Sequence, residues 1–315
     1  MEEYWKGKLP PCSRRVYTAA YAAFSRFEEC VSFSGCAPEE AARAYGALCN
    51  DHPELYHLAY DPRVTGGPFA QFSLCIDNLY DRGERRRIDE ALARIRRETV
   101  GKTARLSERE REIRVCDYLL SHTRYAVDNK RYQNAASVLV DGVGQCSGIA
   151  RAAKLLLGWA GIWSIVVNGT AQGGANGVAG PHAWNVVRIG GEYHHLDVTF
   201  MLGANPQGCA PFRYPFLNYG DARMRTEHAW TCELPPCTQE EGEEEEKRIS
   251  SLYELRLQLR AAAEAGERSF TFLSAIPSEP GKLMGLLQSA CRSTVLQPGA
   301  QVRLSICGES VIIEW

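Results

Sequence analysis

The amino-acid sequence predicts an α+β fold whose centre is a buried helix followed by a β-hairpin. Apolar residues recur at helical spacing over 149–157, and this pattern predicts the helix. The segments 186–189 and 192–200 have the alternating pattern of strands. They are joined by Gly190-Gly191, and two glycines between alternating segments indicate a tight hairpin turn.

The chain is predicted to have four parts, since its 315 residues are enough for two or three domains. Residues 1–105 are expected to be mainly helical, and residues 106–237 to form the α+β core. The glutamate-rich stretch 238–249 repels itself and resists burial, so it predicts an exposed linker. Residues 250–315 follow the order helix, strand, helix, strand, strand, which favours a small two-layer α/β sandwich with an accessory role.

Several elements can be assigned before and at the start of the core. The segments 16–27 and 39–48 predict helices, and 69–80 contains a predicted strand. Ser107 and Glu110 form a capping box, which predicts the start of the first core helix. A further amphipathic helix is predicted from the apolar stripe Ile88, Leu92 and Ile95, and we interpret its flanking arginines as a solvated face rather than as a site for an anionic partner: Arg85, Arg86, Arg87, Arg94, Arg96 and Arg97.

Composition excludes several classes of partner. The hydrophobic fraction of 45% and the charged fraction of 23% are ordinary for a soluble globular protein. A net charge of −2 gives no overall attraction to nucleic acid or to acidic membranes. No run of residues has the length of a membrane span, and the first residues lack the apolar core of a signal peptide. We therefore expect a cytoplasmic protein with neither a nucleic-acid nor a membrane partner.

Cys146 is the first candidate catalytic residue. It follows a glycine-rich stretch and precedes the helix predicted over 149–157, so its thiol is expected at the first turn of a buried helix. The free N–H groups and the positive dipole end of such a helix favour the thiolate, which is the reactive form. The same N–H groups could form part of an oxyanion hole. The alternative is that Cys146 is a small buried hydrophobic residue, as many free cysteines are.

His182 and Asp197 supply the other parts of a nucleophilic acyl-transfer site. With a turn at Gly190-Gly191, residues facing each other on the two strands have numbers that sum to 381. His182 would then face Thr199, and Asp197 would be its diagonal neighbour on the same face. The carboxylate could hold one imidazole nitrogen while the other nitrogen faces Cys146. The alternative is a buried structural histidine with an aspartate at the strand end.

The motifs around these residues resemble those of a known family. They are Gly-Gln-Cys-Ser-Gly at 144–148, His-Ala-Trp-Asn-Val at 182–186 and Tyr-His-His-Leu-Asp-Val-Thr at 193–199. In this order they resemble the transglutaminase-like superfamily, especially its bacterial members. The resemblance covers roughly residues 107–235.

That resemblance implies both a fold and a set of roles. It implies a papain-like α+β core in which Cys146 is the nucleophile, His182 the base and Asp197 the residue that orients the base. Such families include cross-linking enzymes, peptidases, deamidases and inactive relatives. Ser147 stands where animal cross-linking enzymes typically carry tryptophan, and their long acidic insertions are missing. These two departures disfavour a calcium-dependent cross-linker.

The side-chain donor of an oxyanion hole has several candidates. Gln145 adjoins the nucleophile, and Gln133 and Asn134 lie upstream of it. Trp184, two residues after His182, is a further candidate for oxyanion binding or substrate positioning. The alternative for the amide side chains is a solvated loop position.

The twelve cysteines give no sign of a metal site. Cys30-x5-Cys36 and Cys232-x4-Cys237 differ from the usual zinc spacings, and neither has a matching second pair. We interpret these cysteines as isolated buried thiols. The zinc deaminase pattern is also missing, because the residues after His182 do not include its glutamate. No metal and no cofactor is expected.

Two classes of function remain. The first is a cysteine-dependent enzyme that forms a thioester at Cys146 from a peptide or side-chain amide and passes the acyl group to water or to an amine. Hydrolysis is slightly favoured, because nothing in the sequence identifies a site for an amine substrate. The second class is a catalytically silent binding or scaffold protein that keeps the same fold. The presence of all three residues argues against it.

Overall fold

The structure is a computed structural model that describes residues 3–66, 71–101, 105–172, 179–204, 214–239, 248–266, 269–277, 282–293, 302–307 and 310–315. The described residues form two compact units. The first comprises Met1–Gly203 and Phe216–Glu241, and the second comprises Ala204–Pro215 and Gly242–Trp315. Both units contain helices and strands, which confirms the predicted α+β class. The first unit contains the N-terminal region together with most of residues 106–237.

The first unit contains a series of helices and mostly short strands. Its helices are α1 (Tyr4–Lys8), α2 (Pro11–Phe24), α3 (Pro38–Asp51), α4 (Arg82–Val100), α5 (Glu108–His122), α6 (Ala135–Asp141), α7 (Cys146–Trp159), α8 (Val198–Ala204) and α9 (Asp221–Met224), with a 3₁₀-helix at Lys130–Gln133. Its strands are β1 (Cys30–Ser34), β2 (Arg63–Gly66), β3 (Gln71–Cys75), β4 (Arg124–Tyr125), β5 (Val143–Gly144), β6 (Trp163–Ala171), β7 (Gly180–Ile189), β8 (Glu192–Leu196), β9 (Leu217–Tyr219) and β10 (His228–Ala229).

The predicted helices before the core are present. Helix α2 begins at Pro11, five residues before the predicted start, because proline lacks an N–H and fits the first turn of a helix. The capping box that opens α5 is confirmed, since Ser107 Oγ accepts from the Glu110 N–H at 3.2 Å. Helix α4 buries its stripe of Ile88, Leu92 and Ile95, and most of its arginines are exposed, as the solvated-face interpretation requires.

The main sheet of the first unit has the strand order β10-β6-β7-β8-β9, and all of its pairs are antiparallel. The predicted hairpin register is confirmed, since Asn185 faces Leu196 and Ile189 faces Glu192, and both pairs sum to 381. Gly190 and Gly191 both have positive φ values, of 59° and 93°. The turn therefore uses the conformation that favours glycine.

The second strand of the hairpin is shorter than predicted. It was expected to run over 192–200, but β8 ends at Leu196 and α8 begins at Val198. Asp197 therefore starts a helix instead of continuing the sheet. Its carbonyl oxygen accepts from the Met201 N–H at 3.1 Å, which closes the first helical turn. The side chain can satisfy a free N–H at this helix start, and an interior strand position offers no such partner.

Helix α7 packs on strands β6 and β7 and is the most buried helix of the first unit. Asn185 of β7 fixes this contact, because its Nδ2 donates to the carbonyls of Ala150 and Ile165 at 2.9 and 3.2 Å. The helix and the sheet are therefore joined by buried hydrogen bonds as well as by apolar side chains. The apolar side chains that fill this core are fully buried: Ile149, Leu155, Leu156, Ile165, Val166, Val167, Trp184 and Val186.

Asp51 joins the N-terminal helices to α7. Its carboxylate is fully buried and accepts from the backbone N–H groups of Trp5 and Lys6 at 3.1 and 3.0 Å. It also accepts from the Tyr17 hydroxyl at 3.0 Å and lies 3.9 Å from the ammonium of Lys154. One side chain thus connects α1, α2 and α3 with the helix that carries Cys146.

We expect Asp51→Ala to lower the free energy of unfolding by about 3–5 kcal/mol, because removing one member of a buried ion pair leaves the other charge poorly compensated. The matched control is Asp61→Ala. Asp61 is exposed and lies 3.5 Å from the exposed Lys130, so its loss should change stability by less than about 1 kcal/mol. Urea denaturation monitored by circular dichroism measures both. Equal, small changes in the two variants would contradict the anchoring role of Asp51.

The interpretation of all twelve cysteines as isolated thiols is wrong in one place. Cys30 of β1 and Cys75 of β3 form a disulfide, and the two residues face each other in the register of this antiparallel pair. Strands β1, β3 and β2 form a small separate sheet in the N-terminal region. The sequence spacing of 45 residues gave no indication of the pair, because the antiparallel register is what brings the two cysteines together.

The second unit has its own core. Its elements are β11 (Arg248–Ile249), α10 (Leu252–Glu264), β12 (Ser269–Ser274), α11 (Leu283–Ser293), β13 (Arg303–Cys307) and β14 (Ser310–Glu314). The order α10-β12-α11-β13-β14 matches the predicted sandwich, and the sheet order is β11-β12-β14-β13. Helices and sheet share a cluster of buried residues: Ile249, Leu255, Leu259, Phe272, Leu287, Val311 and Ile313.

Most of the predicted acidic linker lies outside the described residues, which stop at 239 and resume at 248. Among the described helices, none combines the length and the apolar character that crossing a membrane requires.

Candidate active site

Cys146 is the first residue of α7, as predicted. It directly follows strand β5 and the helix-capping position Gln145. The thiol is half-buried, and the N–H groups of Ala183 and Ser147 help to lower its pKa. Cys146 therefore lies at the positive end of a 14-residue helix, which favours a charged thiolate.

The glycines on both sides of Cys146 are required by close packing. The 3₁₀-helix Lys130–Gln133 lies against the start of α7, and the Tyr132 carbonyl accepts from the Gln145 N–H at 3.0 Å. A Cβ on Gly148 would lie 2.2 Å from the Tyr132 oxygen. A Cβ on Gly144 would lie 2.3 Å from a methyl group of Val138. The Gly-Gln-Cys-Ser-Gly motif thus reflects an approach of chain segments that a side chain would prevent.

Gly148→Ala is expected to lower the free energy of unfolding by about 1–3 kcal/mol, because the added methyl group overpacks a rigid backbone contact. Gly46→Ala provides the control. Gly46 lies inside α3 with nothing within 4 Å of its virtual Cβ, so alanine should instead add about 0.5–1 kcal/mol. Thermal or urea denaturation gives both values. If Gly148→Ala left the free energy of unfolding unchanged, the segment around Tyr132 would be able to move and accommodate the methyl group.

His182 and Asp197 are brought together with Cys146. His182 lies on β7, and its Nε2 is 2.7 Å from Asp197 Oδ2. Its hydrogen bond with Cys146 then uses the other ring nitrogen, Nδ1. The Asp197 Oδ1 atom accepts from the Phe200 N–H at 3.1 Å, so the carboxylate is fixed by the first turn of α8. The sequence predicted the contact between His182 and Asp197 correctly. It placed Asp197 on a strand, diagonally opposite His182, whereas Asp197 lies at the start of α8.

The electrostatics of the pair favour a charged nucleophile. Burial raises the pKa of the Cys146 thiol, but the hydrogen bond and charge of His182, with the N–H groups of Ala183 and Ser147, outweigh burial and lower it. Burial lowers the pKa of His182, but its hydrogen bonds with Asp197 and Cys146 raise it to about 9. Both shifts stabilise the thiolate–imidazolium form at neutral pH.

A second histidine on the same carboxylate was missed by the sequence interpretation. His228 of β10 is buried, and its Nε2 lies 2.9 Å from Asp197 Oδ2. Burial raises the pKa of Asp197, but the hydrogen bonds from His182 and His228 outweigh burial and lower it. A signal was present in the sequence, since the tripeptide His-Ala-Trp occurs both at 182–184 and at 228–230. The two copies pair with opposite edges of β6.

Tyr125 is the other residue that was missed. It lies at the end of β4, whose parallel pairing with β5 places it beside Gly144. Its hydroxyl lies close enough to Cys146 for the thiol and the backbone N–H of that residue to influence the pKa of the phenol. Burial and the neighbouring Cys146 raise the pKa of Tyr125, so the phenol stays protonated and can donate. Strands of two residues carry too little pattern to be predicted, which is why this contact was not found.

The four predicted oxyanion or positioning candidates have different contacts. The indole N–H of Trp184 donates to His195 Nδ1 at 3.0 Å. Asn134 caps α6, where its Oδ1 accepts from the Ser137 N–H at 3.2 Å. The backbone carbonyl of Gln133 accepts from Arg151 at 2.6 Å, a contact that does not involve its side-chain amide. Gln145 lies beside the nucleophile and its Nε2 is 3.5 Å from Ser147 Oγ, so it stays adjacent to the site.

Trp184 connects the site to a further histidine–carboxylate pair. Because the indole donates to Nδ1 of His195, the Nε2 of this histidine carries the proton and donates to Asp221 Oδ1 at 2.9 Å. Burial lowers the pKa of His195 to about 4, so the ring is neutral at physiological pH. The Trp184 ring also stacks on His182, with an interplanar angle of 15°. This buried network orients the indole ring that stacks on His182.

Two groups in this region contain residue types that bind metals. They are His182 with Asp197 and His228, and His195 with Asp221 and Cys237. In both groups the histidine Nε2 atoms already donate to the carboxylates. These hydrogen bonds hold the histidine rings against the two carboxylates.

Comparison with known proteins identifies the segment that carries the three residues. Residues 94–198 match the family profile described as the transglutaminase-like superfamily. No match was found among curated proteins.

Structural comparison gives only distant similarities. A crystal structure of a TGase is 16% identical, with 54% of this chain and 50% of that chain covered and a TM-score of 0.31. A candidate cysteine protease from Cytophaga hutchinsonii is 13% identical, with coverage of 44% and 61% and a TM-score of 0.30. A candidate protease from Parabacteroides distasonis is 10% identical, with coverage of 90% and 62% and a TM-score of 0.28. The chain spans about half to three fifths of their lengths.

Proposed function

Since residues 94–198 belong to the transglutaminase-like superfamily, we propose that this protein is a cysteine-dependent acyl-transfer enzyme that acts on peptide or side-chain amides. The observation that carries the proposal is the hydrogen bond between His182 and Asp197, together with the influence of His182 that lowers the pKa of Cys146 at a helix start. The substrate would be a peptide or a protein.

The geometry supports a two-step reaction. The Cys146 thiolate attacks the amide carbonyl carbon, and the carbonyl oxygen becomes an oxyanion. His182, protonated on Nδ1, gives this proton to the leaving amine as the C–N bond breaks, and a thioester on Cys146 remains. A water molecule or an amine then attacks the thioester while His182 accepts its proton. Asp197 holds Nε2 throughout and stabilises the imidazolium without reacting.

We propose Tyr125 as the side-chain donor of the oxyanion hole. Its hydroxyl lies beside Cys146, whose thiol and backbone N–H both influence the pKa of the phenol. When Cys146 attacks an amide, the carbonyl oxygen would lie near this backbone N–H and the phenol, and both could donate to it.

The reaction class is tested with a glutamine-containing peptide and a primary amine presented together. We propose hydrolysis ahead of amine transfer, so the main product should be the glutamate peptide or a cleaved peptide, and not the amine adduct. Mass spectrometry distinguishes these products. An adduct that dominates at low amine concentration would favour transfer. A protein that reacts with an electrophilic peptide library at Cys146 yet turns over no amide would favour the scaffold alternative.

The thiol itself is expected to react with iodoacetamide at neutral pH. Its thiolate population rises as pH increases through its lowered pKa, so the half-maximal rate should lie below about pH 8.5, the reference value for cysteine. Cys232 is the internal control, because it is also half-buried but burial raises its pKa. Mass spectrometric mapping across a pH series measures the alkylation rates of Cys146 and Cys232. Equal labelling of the two thiols would refute the activated state of Cys146.

A further inference from the structure

A third group of potential metal ligands lies in the N-terminal part of the first unit, outside the proposed active site. Among the described residues, the sulfur atoms of Cys12 and Cys36 and a carboxylate oxygen of Glu40 all lie within 4.8 Å of one another. Both thiols point at the same atom, with Cys12 Sγ 3.1 Å and Cys36 Sγ 3.6 Å from Glu40 Oε2.

These distances match the edges of a tetrahedral metal site. With zinc–sulfur bonds of about 2.3 Å and zinc–oxygen bonds of about 2.0 Å, tetrahedral angles give sulfur–oxygen edges of about 3.5 Å and a sulfur–sulfur edge of about 3.8 Å. The three donor atoms are therefore close to the required positions before any metal enters. Thiolate and carboxylate donors together suit zinc and similar divalent transition metals better than they suit magnesium or calcium.

Two helix N-termini lie at this group of side chains. Cys12 lies in the first turn of α2, and Glu40 lies in the first turn of α3, with Cys36 two residues before that helix. The positive ends of two 14-residue helices therefore meet at the group and partly offset the negative charge of two thiolates and a carboxylate. Glu40 is held in place by the Ala37 N–H at 3.4 Å.

Burial and access also fit a bound ion. Cys36 is buried and Cys12 and Glu40 are half-buried, so an ion can enter from one side and keep a water molecule as fourth ligand. The buried hydroxyl of Ser13 lies 3.9 and 4.0 Å from the two sulfur atoms and can hydrogen-bond metal-bound thiolates. We propose that Cys12, Cys36 and Glu40 form a binding site for a divalent transition metal of the zinc type.

The test uses the full chain, reduced with a phosphine, stripped with a chelator and titrated with Co²⁺. A tetrahedral thiolate site gives sulfur-to-cobalt charge-transfer absorption, intense visible bands and one ion per chain, and Zn²⁺ should remove these bands by displacement. Cys12→Ser and Cys36→Ser should each abolish the bands. Glu40→Gln should weaken binding by at least the roughly 10–100-fold that loss of a residue supporting a metal ligand causes.

Control variants separate this site from other cysteines. Cys237→Ser and Cys146→Ala should leave the absorption unchanged, because their thiols belong to the region of the proposed active site. Cys30 and Cys75 remain in every variant, so a signal lost in Cys12→Ser cannot come from them. Circular dichroism melting identifies any variant that fails to fold, and Glu40→Gln, which keeps the size and capping reach of the side chain, serves as the conservative second variant.

Two outcomes would overturn the proposal. One is a wild-type chain that folds cooperatively but gives no cobalt–thiolate absorption, or absorption that survives in both serine variants. The other outcome is that Cys12 and Cys36 only form a disulfide reversibly and bind no metal. In that case oxidised glutathione would take two electrons from Cys12 and Cys36, form a disulfide between them and release two molecules of glutathione, while the reduced protein would bind neither Co²⁺ nor Zn²⁺.

Discussion

Cys146→Ala should remove amide turnover, with a loss in kcat on the order of 10⁶-fold, and His182→Ala should cause a similar loss. Asp197→Asn is expected to retain more activity, with a loss of about 10⁴-fold, since the aspartate orients and stabilises the base without forming or breaking a bond. Of these three residues, Cys146 and His182 would touch the reacting atoms, while Asp197 holds His182 Nε2 and does not reach them.

Steady-state kinetics on a peptide amide measures the relative activities of the three variants. The melting temperature of each variant shows whether it is folded. Asp197→Asn tests fold as well as catalysis, because Asp197 Oδ1 also accepts from the Phe200 N–H at the start of α8. The asparagine side chain can keep that acceptor. An Asp197→Asn variant that is less active than Cys146→Ala, with unchanged melting, would contradict the assigned roles.

Tyr125→Phe is expected to lower kcat by about 10²–10³-fold, the loss that follows removal of one oxyanion-hole donor. The phenylalanine ring keeps the packing and removes only the hydroxyl beside Cys146. Alkylation of Cys146 by iodoacetamide forms no oxyanion, so its rate should change far less than kcat does.

Measuring kcat and the alkylation rate together separates the proposed role of Tyr125 from two alternatives. If the tyrosine served mainly to stabilise the thiolate, alkylation and turnover would fall together in Tyr125→Phe. If it were a surface tyrosine beside the site, neither would change. Tyr253→Phe is the control, because Tyr253 is 77% exposed on α10 of the second unit and should leave both rates as they are.

The sequence predicted those parts of the site that lie close together along the chain. The apolar spacing after Cys146 identified α7, and the glycine pair fixed the hairpin register correctly. The contact between His182 and Asp197 followed from that register. The helix start at Asp197 was not predicted, because a strand pattern continues through Thr199 and Phe200 and capping by Asp197 competes with it.

Contacts between segments that are far apart in the sequence could not be predicted from local sequence patterns. Tyr125 reaches Cys146 through a pair of two-residue strands, and His228 reaches Asp197 from the edge strand β10. The cysteines also form contacts that sequence spacing does not reveal. Cys36 was compared with Cys30, six residues away, whereas the fold places it beside Cys12 and pairs Cys30 with Cys75. Spacing rules detect ligands from one segment and miss those assembled from two.

The anchoring of Asp51 bears on how short an active fragment of this protein can be. A fragment that begins at residue 106 would retain Cys146, His182 and Asp197 but lose the carboxylate that faces Lys154 on α7. It would also lose Trp5, whose indole N–H donates to the Val166 carbonyl of β6 at 2.8 Å. The helix that carries Cys146 and the strand beside it both depend on these earlier residues. In gene fusions or domain exchanges, the first hundred residues should therefore be transferred together with the segment that contains Cys146, His182 and Asp197.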